Sequence, residues 1–357
     1  MSRRSAALLL AATLTAWVGP AASAEPPPIR VPPGFRAEVF AEGLGAARAL
    51  AVDPAGAVLV SISNAGRVVA LVPATTGPPR VVSIVTGLQL PHGLAFRDGY
   101  LYVAETGRVL RFRYDARTRV AEAPVTVVPD LPAGAHHWTR SIAFGPDGRL
   151  YVAIGSSCDV CREADARRAA ILSYAVDGSD ARVVATGLRN PVGLAFDPAT
   201  GVLWTTVNER DWRAGGAPPD FVTAVPAGAA FGWPDCYALG GAFRPDPELP
   251  QPRPCRGLTA PTLELPPHSA PLGMAFQRDS LFVALHGSRA ELPAAGYTLL
   301  RVRIDARGRI RADDFATGWR DGARVWGRPV DVAVGSDGAV YVSDDHGGRV
   351  VRISVAR

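Results

Sequence analysis

A short phrase recurs six times along this 357-residue chain: an alanine between apolar residues, then a turn, then a second apolar run. The copies are Leu50-Ala51-Val52, Leu94-Ala95-Phe96, Ile142-Ala143-Phe144, Leu194-Ala195-Phe196, Met274-Ala275-Phe276 and Val332-Ala333-Val334. Their alanines lie 44, 48, 52, 80 and 58 residues apart. Strand pairs repeating near this length point to a β-propeller with one blade per copy. The expected fold is therefore all-β, a six-bladed β-propeller. Such a disc gathers many loops at one mouth of its central channel, so residues distant in sequence can share a site there.

The first residues read differently. Arg3 and Arg4 precede the apolar stretch Ala6 to Val18, and Ala22-Ser23-Ala24 offers a small-residue cleavage site. Residues 1–24 are thus expected to be a signal peptide, 25–34 a linker and 35–357 the propeller, with a long loop insertion at about 208–272. The mature chain is expected to be periplasmic or secreted, with no transmembrane span. All 38 basic residues are arginine. The absence of lysine excludes side-chain Schiff-base catalysis and a lysine-held pyridoxal cofactor. Without Arg3 and Arg4 the formal charge falls from +5 to +3, too little to suggest nucleic acid as a partner. Arginine forks toward carboxylates, so a multiply anionic small ligand is within reach.

The four cysteines are Cys158, Cys161, Cys236 and Cys255. In an exported chain two disulfides are the expectation, and proximity favours Cys158–Cys161 and Cys236–Cys255; a four-cysteine zinc site is the alternative.

Tight Asp-Gly and proline turns occupy one face of the disc and need no function. The other face receives the segments entering each inner strand and the loops leaving each second strand. The entry segments carry Arg48, His92, His136, His137, Arg140, Arg189, Asn190, His268 and Arg328. The exit loops carry Asn64, Glu105, Asn208, Glu209, Arg210, Asp211, His286, Asp344, Asp345 and His346. All six histidines fall in these two sets, which points to a ligand site at that mouth. Trp138, Trp212, Trp233 and Trp326 lie in or beside the same loops, where each could stack on a flat ring or form a small core for its loop.

With these residues in place the chain resembles the exported quinoprotein sugar dehydrogenases of the glucose/sorbosone type. The matching segments are His137 through Tyr151, Gly187 through Leu194, Asn208-Glu209-Arg210-Asp211, Phe231-Gly232-Trp233-Pro234 and Ala284 through Ser288. The resemblance implies pyrroloquinoline quinone (PQQ) and calcium as cofactors, a small-molecule sugar substrate and an external electron acceptor, quinone or cytochrome. It makes His137 the general base and sets Arg189 and Asn190 on the quinone, with Arg189 also catalytic. It gives the backbone carbonyls of Glu209 and Arg210 to calcium, and Arg328 to a cofactor carboxylate. Arg48 and Arg140 are further candidates for the cofactor carboxylates, and His92 and His268 for substrate. The lysine that glucose-oxidising members place on the cofactor is missing; His286 and Arg289 stand there instead, closer to the sorbosone branch.

Two other readings fit a propeller. A calcium-dependent sugar lactonase would need side-chain ligands converging on the metal, for which Glu105, Asn208 and Asp344 are the candidates. A non-enzymatic propeller would bind protein or glycan on the same loop face.

Overall fold

The computed structural model describes residues 29–134, 136–211, 216–289, 294–305 and 307–356. The expected signal peptide, residues 25–28 of the linker and Trp212 lie outside the described residues. Six sheets surround an axis, each built on four antiparallel strands. The innermost strands are Ala47–Val52, Leu94–Arg97, Arg140–Phe144, Asn190–Phe196, Pro271–Gln277 and Pro329–Val334. Each packs against the next, and the sixth against the first, so the ring closes. The chain ends are joined within one blade: Phe35–Ala41 pairs antiparallel with Arg349–Val355 as the outer strand of blade six.

The repeated phrase has a packing reason. Each of its alanines lies directly across from a large residue on the second strand: Leu59, Tyr102, Tyr151, Trp204, Phe282 and Tyr341 in turn. The small side chain leaves room for the large one, which reaches into the neighbouring blade. Tyr102 meets Phe144 edge-on with ring centroids 4.9 Å apart, Tyr151 meets Phe196 at 5.0 Å, and Trp204 meets Phe276 at 6.3 Å. The phenylalanine that follows the alanine in one blade therefore receives the aromatic of the blade before it. Each such pair contributes about 0.5–1.5 kcal/mol beyond its apolar burial. Four of the six inner hairpin turns are capped by their own aspartates, Asp53, Asp147, Asp197 and Asp337, as where Asp53 accepts from the amides of Ala55 and Ala57 at 2.9 and 2.8 Å.

Both disulfides form as expected, Cys158–Cys161 and Cys236–Cys255, and no thiol remains for zinc. Two expectations need correction. The end of the proposed linker is part of the fold: Arg30 bridges Thr317, while Ile29 and Val31 pack against the core between blades five and six. The proposed insertion is also narrower than 208–272. Phe221–Ala224 and Leu263–Glu264 are the third and outer strands of blade four, so the excursion lies between them. These strands lack the repeated phrase because only inner strands carry it. Within the excursion, Ala229–Ala230 extends blade three in parallel and Cys236–Leu239 forms a hairpin with Ala242–Pro245. No helix of the described residues is long and apolar enough to cross a membrane.

Candidate active site

Entry segments of blades three to six and exit loops of blades four and five enclose a cavity of about 280 Å³ at one mouth of the channel. His137, Arg189, Asn190, Glu209, His268, His286 and Arg328 all line it. Val192, Leu272 and Val330, from the inner strands of blades four, five and six, form one buried apolar cluster outside its lining.

His137 precedes the inner strand of blade three. Its Nδ1 lies 2.9 Å from the main-chain oxygen of Ser156 and 3.0 Å from the Ser156 hydroxyl. A carbonyl only accepts, so Nδ1 carries the proton and Nε2 keeps its lone pair. Burial, followed by the charge of Arg189 and the neighbouring His136, holds the His137 pKa well below its ordinary value. The imidazole is thus neutral at physiological pH. Gly155 makes room for it: a Cβ there would come within 2.6 Å of the His137 Cβ and would also strike Oδ1 of Asn190.

Arg189 crosses from blade three to blade four. Its Nη1 donates to the carbonyls of Asn208 at 3.2 Å and Glu209 at 2.7 Å, and its Nη2 pairs with Asp159 at 2.5 Å. Asn190 Oδ1 is buried on the cavity wall without a partner among the described residues. Asn208, Asp211 and Asp220 complete an oxygen-rich corner. Asp220 accepts from the amides of Glu209 and Ala270, both at 2.8 Å, and burial raises its pKa to about 7.

On the opposite wall Arg328 donates to the carbonyls of His286 at 3.1 Å, Ser288 at 3.1 Å and Gly287. No carboxylate lies within salt-bridge distance of it among the described residues. A half-buried guanidinium held by neutral oxygens leaves positive charge for an anion. His286 meets Asp345 at 3.0 Å, and Asp345 pairs with Arg48 at 2.6 Å. Burial opposes the charge of Asp345, but His286 and Arg48 together hold its carboxyl below the usual range. Burial also lowers the His286 pKa.

Four candidates stand elsewhere. Arg140 is fully buried, and its guanidinium donates to the carbonyls of His137 at 3.0 Å, Thr139 at 2.6 Å and Pro132. It braces the segment carrying His137 and is absent from the cavity wall. Arg48 sits one layer back, behind Asp345 and against Trp138. His92 lines a separate axial cavity of about 110 Å³ beneath the site, so it cannot touch a substrate in the upper one. Burial, then the Arg48 charge, lowers its pKa to about 3. The Arg210 side chain is buried against Asp246 at 3.0 Å and against Tyr237, which leaves only its backbone for a metal.

The lactonase triad does not converge either. Of its three candidates Asn208 alone lines the cavity; Glu105 holds Arg108 and the Gln89 amide, and Asp344 holds Arg349 and the Arg328 amide. His136, Asp211 and Asp220 also line the cavity; the first two stood in the loop sets without an assigned role, and Asp220 stood in neither. His136 directly precedes the proposed base, but Asp220 had no motif to mark it.

The donors present suit the implied groups in kind. Arg189, Arg289 and Arg328 offer cationic charge to carboxylates, and the unpartnered Asn190 Oδ1 awaits an N–H or O–H. The carbonyls and carboxylates around Glu209 are hard oxygen donors of the sort calcium takes.

Comparison with known proteins agrees with the architecture. The PQQ-dependent pyranose dehydrogenase of Coprinopsis cinerea is 26% identical over 387 residues, covering 89% of this chain and 53% of that protein. This chain thus spans about half the length of that relative. The holo form of its PQQ domain superposes with a TM-score of 0.80 at 24% identity, covering 93% of this chain and 99% of that one. The calcium structure of the Trichoderma reesei family AA12 enzyme gives a TM-score of 0.82 at 21% identity, over 93% and 98% of the two chains. Residues 29–356 match the TrAA12-like family model, and the chain belongs to that family.

Proposed function

We propose that this protein is a PQQ- and calcium-dependent dehydrogenase that oxidises a sugar hydroxyl, at the anomeric carbon of an aldose or on a sorbosone-like aldehyde hydrate, to the lactone or acid. The observation that carries the reading is that His137, Arg189 and Arg328 line one cavity, with a neutral imidazole facing two guanidiniums. Membership of the TrAA12-like family supports it, as do relatives named for PQQ-dependent sugar oxidation.

When bound, PQQ supplies an electron-poor carbonyl carbon that accepts hydride, and calcium supplies Lewis acidity beside it. The chain's own residues do the rest. Nε2 of His137 takes the proton from the hydroxyl oxygen while hydride leaves the carbon that bears it, and the Ser156 carbonyl keeps the ring in the tautomer that allows it. Arg328 would hold a carboxylate of the cofactor, and Arg189 would contact the quinone, where its positive charge favours added negative charge. Asn190 Oδ1 accepts from the bound group. The carbonyls of Glu209 and Arg210 would hold calcium, and the Glu209 oxygen now receives Arg189. His268, whose Nδ1 lies 3.4 Å from Asp211 Oδ1 on the cavity wall, is the remaining substrate candidate. Export to the periplasm or medium, and a quinone or cytochrome as final acceptor, complete the proposal.

The test is reconstitution of purified protein with calcium and PQQ, followed by reduction of an artificial acceptor across aldoses, ketoses and aldehydes. Cofactor-dependent turnover with a sugar is expected. No turnover with any of them, in protein that is folded, removes the dehydrogenase reading.

A further inference from the structure

The short loop closed by Cys158–Cys161 touches three parts of the site at once. Asp159, inside that loop, accepts Arg189 Nη2 on Oδ1 at 2.5 Å and Arg189 Nε on its main-chain oxygen at 3.2 Å. The same Oδ1 accepts the Asp211 amide at 3.2 Å, and the same main-chain oxygen accepts the Trp233 indole N–H at 3.0 Å. One residue thus ties blade three's exit loop to the guanidinium, to the oxygen-rich corner and to the excursion of blade four. Just before the loop, Ser156 receives His137, donates its hydroxyl to the Cys158 carbonyl at 2.6 Å, and gives its amide to the Arg189 carbonyl at 2.8 Å.

We infer that Asp159 is a positioning residue: it orients the Arg189 guanidinium toward the cavity, and the Cys158–Cys161 loop is the brace that sets Asp159 there. Arg189 is the only cation within salt-bridge distance of Asp159 among the described residues. Two of its three nitrogens bond Asp159, and the third lies on Asn208 and Glu209, so its plane is fixed before any ligand arrives. Preorganised charge costs no reordering on binding, and removing the partner that orients it loses that benefit. The inference rests on the quinoprotein reading for its ligand but not for its geometry.

The experiment uses the full chain with Asp159→Ala and Asp159→Asn, each alone and combined with Arg189→Gln. PQQ affinity is read by absorbance titration with calcium present, and exchange of the Asp211 amide is read by hydrogen–deuterium exchange on ligand-free protein. Asp159→Ala should weaken PQQ binding about 10- to 100-fold, the range for a charge-assisted hydrogen bond. Asp159→Asn, which can still accept the Asp211 amide, should weaken it less. In the Arg189→Gln background the same change at Asp159 should have no further effect, because the residue acts through Arg189. Exchange at Asp211 should accelerate in Asp159→Ala while thermal unfolding stays cooperative. Unchanged affinity in Asp159→Ala, or an equal loss with and without Arg189, overturns the inference. If wild type binds no PQQ, the quinoprotein reading fails; faster Asp211 exchange in Asp159→Ala would still uphold the loop's bracing role, and unchanged exchange would overturn it.

Discussion

The Nδ1 of His137 sits 2.9 Å from the Ser156 carbonyl, so only Nε2 is left to take a proton. Replacing His137 by alanine should lower turnover by about 10²- to 10⁴-fold, the usual contribution of a general base. PQQ affinity should change little, since the guanidiniums remain. Comparing steady-state rates with a binding titration checks this; a variant that keeps full turnover would place the base elsewhere.

The same residue sets a pH dependence. Burial and the Arg189 charge push the His137 pKa below 6.5, so the free base persists into acid. The acid limb of kcat/KM should therefore fall below pH 6.5 in the reconstituted protein. Weakening the positive field with Arg189→Gln should move that limb upward, although activity drops. Profiles that overlay after normalisation would contradict the assignment.

Gly155→Ala tests the close approach behind the proposed base, His137. The added methyl would meet His137 and Asn190, so one or both must shift. A displacement near 1 Å at a catalytic group costs about 10²-fold in rate. The expected signature is a large fall in kcat/KM with the native circular dichroism retained.

His92 offers a stability prediction. Its pKa is about 3 in the fold against 6.5 when free, so the unfolded chain binds a proton across that window and the folded chain does not. Its contribution is whole above pH 6.5 and is lost as pH falls toward 3. His92→Phe, which keeps a ring against Trp138, should flatten the fall of Tm in that window and leave the PQQ titration unchanged. Superimposable Tm curves for the two proteins would refute it.

Asp246→Ala strands a charge. Arg210 and Asp246 are both fully buried and 3.0 Å apart, joining the blade-four excursion to the loop that carries Glu209. Removing one partner of such a pair destabilises by about 3–5 kcal/mol. Denaturant unfolding should show that loss. Asp246→Asn, which keeps the shape, should lose less.

The blades were legible in the sequence because their cause is local. An alanine between apolar residues, a tight turn and a second apolar run repeat within each strand pair. The two cysteine pairs were legible for a similar reason, since the partners are close in sequence.

The division among the arginines and histidines at the mouth was not local. Arg48, His92 and Arg140 stand three residues before the repeated alanine of their blades, as do Val192, Leu272 and Val330. The latter three form one buried apolar cluster, so this register belongs to the inner-strand core. His137 and Arg189 stand six residues before their alanines and Arg328 five, where the chain has risen clear of the ring and reaches the cavity. That offset was the available signal for separating bracing residues from site residues.

By itself the sequence determined a closed ring of blades, because strand alternation and turn chemistry are read from neighbours along the chain. Only the tertiary structure decided which charged side chains line the cavity and which brace it from behind. A guanidinium bonds whichever oxygens the fold brings near it, and those oxygens come from other blades.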